Sequence, residues 1–582
     1  MAVDKKGVIS ALEEIALLLE LTGANPFKAR AFQNGARALA NYEGDLRAGL
    51  DGGELAKLKG IGKSLLGEIK SLLETGESPA RVELRAQIPA GLLEMLKIPG
   101  LGPKRAHELH EKLGVESVGE LEYACKENRL LKLPGYGEKT QAKLLKGIDY
   151  IRKFSGRHLL SDAWTRADDL VERLQQHPGV SRIELAGSIR RRKETIGDID
   201  ILVATDEPAA VSEMFVTFAE VEEIIGHGDT KSSVRLESGI QVDLRVVPEQ
   251  SFPFALHYFT GSKEHNTVLR QRAKDRGLRL NEYGLFHVDD HGEAIGESVA
   301  AMDEAELFAA LDLAYIEPEL REDRGELLAA ESGALPELLQ PGDIRGALHN
   351  HSTWSDGAHS IEEMARAAQA LGWEYIGLSD HSQTAFYAHG LKPDDILRQH
   401  EEIDRLNERL DGIVILKGIE SDILPGGALD YDDDVLESFD FIVASVHGNF
   451  GLDRKKQTLR SVRAVQNPFT SVLGHPTGRL LLAREGFDLD MDEVIAAAGE
   501  SGCAIELNAN PHRLDLDWRD LPKAVKAGVK ISIGADAHRT EGLKDLRYGI
   551  ALARKGWLRA TDVLNVLGLA ELKPMLRRSG CP

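Results

Sequence analysis

The stretch IELAGSIRRRKETIGDIDILVA, from Ile183 to Ala204, decides how the rest of the chain is read. Asp198-Ile199-Asp200 runs into the apolar residues Ile201, Leu202 and Val203 behind Gly197, a pattern that predicts a strand. Side chains two apart on a strand point the same way, so Asp198 and Asp200 project together from one face. Two carboxylates held that close repel unless a divalent cation lies between them, and oxygen ligands suit Mg²⁺. A second strand-like run, Ile240 to Val247 (IQVDLRVV), alternates Asp243 with Val242 and Leu244. Laid beside the first run, it adds a third carboxylate. Gly187-Ser188 forms a small-residue turn whose N–H groups, with the guanidinium of Arg191, can hold a triphosphate. Together these residues compose a two-metal phosphoryl-transfer site.

A lone Asp-x-Asp is more often a solvated strand edge. Here Gly187-Ser188, Arg190 and Arg191, and Gly197-Asp198-Ile199-Asp200 follow one another in a spacing that resembles the signature of the polymerase-beta-like nucleotidyltransferases. That resemblance implies a chemistry and leaves the substrate open.

With 582 residues the chain can hold several separate cores, and its 42% hydrophobic and 28% charged content is that of ordinary globular protein. The three cysteines, Cys125, Cys503 and Cys581, form no CxxC pair, which excludes a disulfide framework and a thiolate zinc site. The sequence has neither a secretory leader nor an apolar run near 18 residues, so the expected location is cytoplasmic, without a membrane. The net charge of −23 is unevenly spread: residues 1–200 hold 32 basic against 29 acidic side chains, the remainder 39 against 65. The front third can therefore meet phosphates.

Residues 1–80 read as helices, Val8 to Leu21 and then Phe27 to Tyr42 after Asn25-Pro26. Three turns follow one pattern: Gly60-Ile61-Gly62-Lys63, then Gly100-Leu101-Gly102-Pro103-Lys104 after Ile98-Pro99, then Gly135-Tyr136-Gly137-Glu138-Lys139. They resemble helix-hairpin-helix modules, which predicts DNA-binding domains over 1–80 and 81–155. The glycines let backbone approach a phosphate, the N–H groups of the next helix donate to it, and each lysine adds charge. Such contacts position DNA without reading its sequence.

After a catalytic palm over 156–250, Tyr258-Phe259-Thr260-Gly261-Ser262, with Asn266 and Arg270 beyond, resembles the nucleotide-selection segment of family X DNA polymerases, here placed at 251–315. The resemblance implies that Tyr258 and Phe259 face the sugar, Asn266 the base and Arg270 the template. Two positions depart from the family pattern. Ser64 stands where members with 5′-deoxyribose-phosphate lyase activity carry a Schiff-base lysine, so lyase activity is expected to be weak or absent. Gln241 stands where some members have arginine, which predicts a looser hold on the primer end.

Residues 316–343, acidic and with three prolines, read as a linker with one short possible helix. Beyond it, apolar runs at Tyr375–Leu378, Ile413–Leu416, Phe441–Ala444, Ser471–Leu473, Ala504–Leu507 and Lys530–Ile533 alternate with helical segments, predicting a parallel α/β barrel over 344–582. Metal-type side chains follow these runs: His349, His351, Asp356, Asp380-His381, Glu420, His447, His475, Asp536 and His538. Barrel enzymes assemble their sites at strand C-termini, and imidazole with carboxylate suits Zn²⁺ or Mn²⁺. LHNHSTWSDG, Leu348 to Gly357, together with the later residues, resembles the PHP (polymerase and histidinol phosphatase) family. The resemblance implies three metal ions: one among His349, His351, Glu420 and Asp536; a second among Glu420, His447 and His475; a third among Asp356, His381 and His538. Arg513 is a candidate phosphate contact.

The fold expected is multidomain: all-α helix-hairpin-helix domains, an α+β nucleotidyltransferase palm and a distorted PHP-type barrel. The combination resembles bacterial and archaeal family X DNA polymerases. It implies a monomeric repair enzyme acting on gapped or primed DNA and dNTPs, with Mg²⁺ or Mn²⁺ at the palm and three Zn²⁺ or Mn²⁺ in the barrel. The barrel's role stays open among 3′-5′ exonuclease, 3′-phosphatase and abasic endonuclease. Two rival readings are a small-molecule phosphoesterase tethered to a DNA-binding module and a DNA-binding scaffold without activity.

Overall fold

The computed structural model describes residues 5–23, 26–42, 44–98, 100–152 and 156–576; Asn25, Pro99 and Cys581 lie outside them. The chain divides into two compact units, Met1–Ile151 and Arg152–Pro582.

Every regular element among the described residues of the first unit is a helix. Its three Gly-x-Gly turns share one geometry. Gly60, Gly100 and Gly135 adopt φ of +102°, +90° and +87°, the left-handed region in which a side chain is strained. Gly62 and Gly102 then cap the helices Lys63–Thr75 and Pro103–Leu113 in extended conformation, and Glu138–Arg152 follows Gly137. The apolar stripe Leu65, Ile69, Leu72 and Leu73 turns the first of these helices into its core. Lys63, Lys104 and Lys139 stay exposed beside their turns. A Cβ at Gly62, Gly102 or Gly137 would meet nothing, so these glycines leave an open backbone surface.

The second unit begins with a five-stranded sheet. In chain order its strands are β1 (Val180–Leu185), β2 (Asp198–Thr205), β3 (Val221–Gly226), β4 (Lys231–Leu236) and β5 (Gln241–Val247), arranged β1-β2-β5-β4-β3. β2 and β5 run parallel, so the helix Pro208–Val216 and the β3–β4 hairpin lie in the crossover between them. The helices Phe252–Thr260 and Lys263–Asp275 and a three-stranded antiparallel sheet follow.

The stretch expected to be a linker is instead packed. Arg321 and Glu326 are wholly buried there, Leu320, Ala330 and Leu338 join the apolar core built on Phe254, Leu269 and Phe308, and one helix spans Glu326–Ser332. Its prolines and acids suggested solvent, but the acids pair inward. Glu326 accepts from the His265 ring at 2.7 Å, and Glu322 binds Arg191 and Lys193.

Seven parallel strands then form one sheet in chain order: β6 (Gly346–Ala347), β7 (Tyr375–Leu378), β8 (Val414–Asp422), β9 (Phe441–Ser445), β10 (Val472–Leu473), β11 (Ala504–Asn508) and β12 (Ile531–Gly534). A bridge between Asn350 and Ala537 brings the ends together, and the barrel is nearly closed. Most strand residues are buried, as expected for parallel strands covered on both faces. Palm and barrel share one continuous apolar cluster.

Candidate active sites

In the palm, the β2–β5 register sets Asp200 directly opposite Asp243 and Asp198 opposite Gln241. Ile199 and Ile201 point into the core, so Asp198 and Asp200 share the other face. Burial pushes the Asp200 carboxyl up to about 7, and the neighbouring Asp198 and Asp243 add to the shift. Asp243 goes the other way: burial opposes ionisation, but the Lys231 ammonium at 2.8 Å and Gln241 Nε2 at 2.9 Å hold its pKa below the usual carboxylate range. Lys231 thus holds a positive charge against the third carboxylate. Gln241 contacts that carboxylate too.

Gly187, at φ +60°, opens the turn before this strand, and a Cβ there would collide with the Asp200 carboxylate. No other residue fits so close an approach. Ser188 follows, with its carbonyl accepting from the Lys193 N–H at 3.1 Å. The Arg191 guanidinium binds the Glu322 carboxylate at 3.1 Å and the Thr260 carbonyl. Gly197 precedes β2. Tyr258 and Phe259 meet edge to face at 5.1 Å, with the Arg245 guanidinium 4.1 Å over Phe259. Gly261 turns at φ +70° beside Arg191. Asn266 donates to the Tyr258 carbonyl at 2.8 Å, which fixes its amide, and exposed Arg270 donates to the Asn266 carbonyl.

In the barrel, nine metal-type side chains converge after the strands. Three overlapping groups have their donor atoms within 4.8 Å of one another: His351, Asp356, His381 and His538; His349, His351 and Asp536; His381, Glu420 and His447. His475 joins through Glu420, Nε2 to Oε1 at 2.9 Å. The groups differ from the sets implied by resemblance: His351 and His381 each stand between two groups, Glu420 falls outside the His349 group, and His475 falls outside the His447 group. Among the described residues all such groups lie in the barrel, and the palm carboxylates are set wider.

The barrel residues fit divalent cations. Nε2 of His349 and His351, Oδ2 of Asp356 and Oε2 of Glu420 are buried without a hydrogen-bond partner, a costly state that ligation relieves. Burial disfavours charge on Asp356, Glu420 and Asp536, yet the surrounding histidines hold all three well below the usual carboxylate range. Asp536 takes φ +51°, a strained conformation for a side-chain-bearing residue that is tolerated where function demands it.

Several supporting residues escaped the sequence reading. Glu506 on β11 accepts from His349 Nδ1 at 2.7 Å and from the His475 N–H at 2.7 Å. Asp422 grips His447 Nδ1 at 2.5 Å. Such carboxylates fix ring orientation and leave the other nitrogen for a metal. Burial lowers the His447 pKa, but Glu420 and Asp422 outweigh it and raise the value to about 9. An acid in an otherwise apolar strand was the available signal for Glu506. For Asp422 it was the same two-residue spacing that marked Asp198 and Asp200. Asp380 is an anchor: it accepts from Ser352, Ser355 and Gln399 and ties the first histidine loop down. Arg513 is buried with Nε 3.4 Å from Asp536 Oδ2, at the edge of the cluster.

A palm with paired acids joined to a histidine-rich barrel defines a nucleotidyltransferase coupled to a metal-dependent phosphoesterase. The DNA polymerase beta thumb family matches residues 255–322, the PHP domain family 347–510, a helix-hairpin-helix domain 4–78 and a SAM-like helix-hairpin-helix tandem 92–149. "DNA polymerase/3'-5' exonuclease PolX" of Bacillus subtilis (strain 168) is 41% identical over 577 residues, covering 99% of this chain and 100% of that protein. A "Probable phosphatase" of Thermoanaerobacter sp. (strain X514) is 30% identical over 241 residues, 39% of this chain and 93% of its own. The chain belongs to the family X DNA polymerases that carry a C-terminal PHP domain.

Proposed function

We propose that this chain fills short gaps in DNA at the palm and trims 3′ ends in the barrel. It is a DNA-directed DNA polymerase of family X with a PHP-domain 3′-5′ exonuclease. The observation that carries the residue assignment is the register that sets Asp200 against Asp243, on the same chain as a buried cluster of histidines and carboxylates.

In this reading Asp198 and Asp200 would hold the palm's Mg²⁺ ions, with Asp243 joining at the catalytic one. Bound Mg²⁺ would neutralise the triphosphate and favour ionisation of the primer 3′-hydroxyl. Asp243, kept ionised by Lys231 and Gln241, would help take the hydroxyl proton. The Gly187-Ser188 turn and Arg191 would seat the phosphates, and the Tyr258-Phe259 pair would close against the sugar. The three Gly-x-Gly turns, with Lys63, Lys104 and Lys139 beside them, would hold DNA by its backbone. In the barrel, His349, His351, Asp356, His381, Glu420, His447, His475, Asp536 and His538 would hold Zn²⁺ or Mn²⁺, and Arg513 would meet the phosphate. Ser64, exposed at the start of its helix, leaves no amine there for lyase chemistry.

Extension and degradation of a 5′-labelled gapped duplex test the assignment. Asp198→Ala abolishes nucleotide addition and spares degradation, and His349→Ala does the reverse. Persistent extension by Asp198→Ala refutes the palm assignment. The likeness to phosphatases over the barrel alone favours a second reading, removal of a 3′-phosphate. The same assay on a 3′-phosphate end measures it.

A further inference from the structure

One barrel side chain gives its hydrogen bonds to the polymerase half. Lys555 ends the barrel helix Leu546–Lys555 and is fully buried. A buried ammonium is costly unless its protons are met. Here three acceptors meet them: Glu322 Oε1 at 2.6 Å, the main-chain oxygen of Arg191 at 2.9 Å and that of Glu319 at 3.3 Å. Every one lies outside the barrel. Beneath the ammonium the indole of Trp518 lies 4.6 Å away, and the Lys193 ammonium approaches the same ring at 5.5 Å.

Glu322 passes the contact on. Its Oε1 also accepts from Arg191 Nε at 3.1 Å, and its Oε2 pairs with Lys193 at 3.0 Å. Burial opposes ionisation of this carboxyl, but Lys555, Arg191 and Lys193 hold it at about 2. At its far end the Arg191 guanidinium donates to the Thr260 carbonyl and packs on Gly261, where a Cβ would lie 3.1 Å from Nη1. A continuous polar path therefore runs from the barrel helix through Glu322 and Arg191 to the turn that follows Tyr258 and Phe259. A methionine would fill the same volume without desolvating a charge, so the position gains orientation from lysine and little packing.

We propose that Lys555, although part of the barrel, is a positioning residue for nucleotidyl transfer: it holds Glu322 and the Arg191 backbone so that the Gly187–Arg191 turn stays set against the Thr260–Gly261 turn. The inference rests on the reading of Arg191 as a contact to the incoming nucleotide. Loss of the ammonium frees Glu322 to draw the Arg191 side chain away from the nucleotide, which weakens dNTP binding more than it slows the chemical step.

The test uses the full-length protein on a one-nucleotide gap, with dNTP KM and kcat measured beside degradation of a 3′-hydroxyl single strand in Mn²⁺. Lys555→Met is expected to raise dNTP KM about tenfold with a smaller change in kcat, as loss of a ground-state contact does. Degradation, carried out in the domain that holds the substitution, stays within about twofold. Glu322→Gln, which keeps the side chain's shape and folds where Lys555→Met does not, raises KM about threefold. An unchanged KM in both variants overturns the proposal. So does a parallel fall of extension and degradation, the mark of a purely structural role. Arg191→Ala separates the two layers. If its dNTP KM equals that of the wild type, the nucleotide reading of Arg191 fails. If its KM rises and those of Lys555→Met and Glu322→Gln do not, only the positioning role of Lys555 fails.

Discussion

The palm and the barrel both gather acidic side chains, but they treat the charge in opposite ways. Asp198 is exposed, Asp200 is raised to about 7, and Asp243 is partnered by the protein's own Lys231. The barrel carboxylates are buried, ionised and surrounded by imidazoles that other carboxylates orient. An open site whose repulsion is answered by a proton and a lysine suits cations that arrive with each nucleotide and leave with pyrophosphate. A closed site with preset rings suits ions that stay. Under the proposed function, one chain would carry an exchangeable metal site and a resident one.

The largest effect that can break this comparison is a clean exchange of activities. Asp243→Ala should remove nucleotide addition by several orders of magnitude and leave 3′ degradation intact, and Glu420→Gln should do the opposite, both read on labelled gapped DNA. Loss of both activities in either variant would show the two sites to be one functional unit. Next comes metal retention. After brief EDTA treatment and gel filtration, elemental analysis should find Zn or Mn retained by the wild type and lost by Glu420→Gln, and extension should return at once on adding Mg²⁺.

A smaller effect distinguishes the sites by pH. A proton on Asp200 competes with the cation, so apparent Mg²⁺ affinity at the palm should fall about tenfold from pH 8 to pH 6, bending near 7. In the metal-free barrel His447 keeps its proton to about pH 9, so metal uptake there should release a proton at neutral pH and strengthen as the pH rises toward that value. Isothermal titration in two buffers of different ionisation enthalpy measures both. The smallest effect concerns Lys231, which is 44% exposed and would compete with a cation for Asp243. Lys231→Met should tighten Mg²⁺ binding in the absence of DNA and change stability by no more than about 1 kcal/mol.

The sequence made the strands and their carboxylates readable because their side-chain alternation is local. Asp198 and Asp200 declare a face by themselves, and the barrel histidines from His381 onward each follow a short apolar run. The Gly-x-Gly turns were readable for the same reason. What stayed hidden depends on partners far along the chain. Glu322 and Glu326 looked like linker acids until Arg191 and His265 met them 131 and 61 residues away. Glu506 reaches His349 across 157 residues, and no spacing rule announces that. The registry between β2 and β5 lay between these extremes: Asp243 was expected near its partners, but only the parallel pairing sets it opposite Asp200.

Glu420 acts as a junction within the histidine cup. Its two oxygens lie 2.9 to 3.8 Å from nitrogens of His349, His351, His381, His447 and His475, so it touches at least one histidine of each of the three groups. A side chain shared so widely would make ion loading sequential: a first ion would neutralise part of its charge and fix rings that a second would use. Titrating the empty barrel with a single metal should therefore give a curve with separate steps, and its history of filling would be written in one carboxylate.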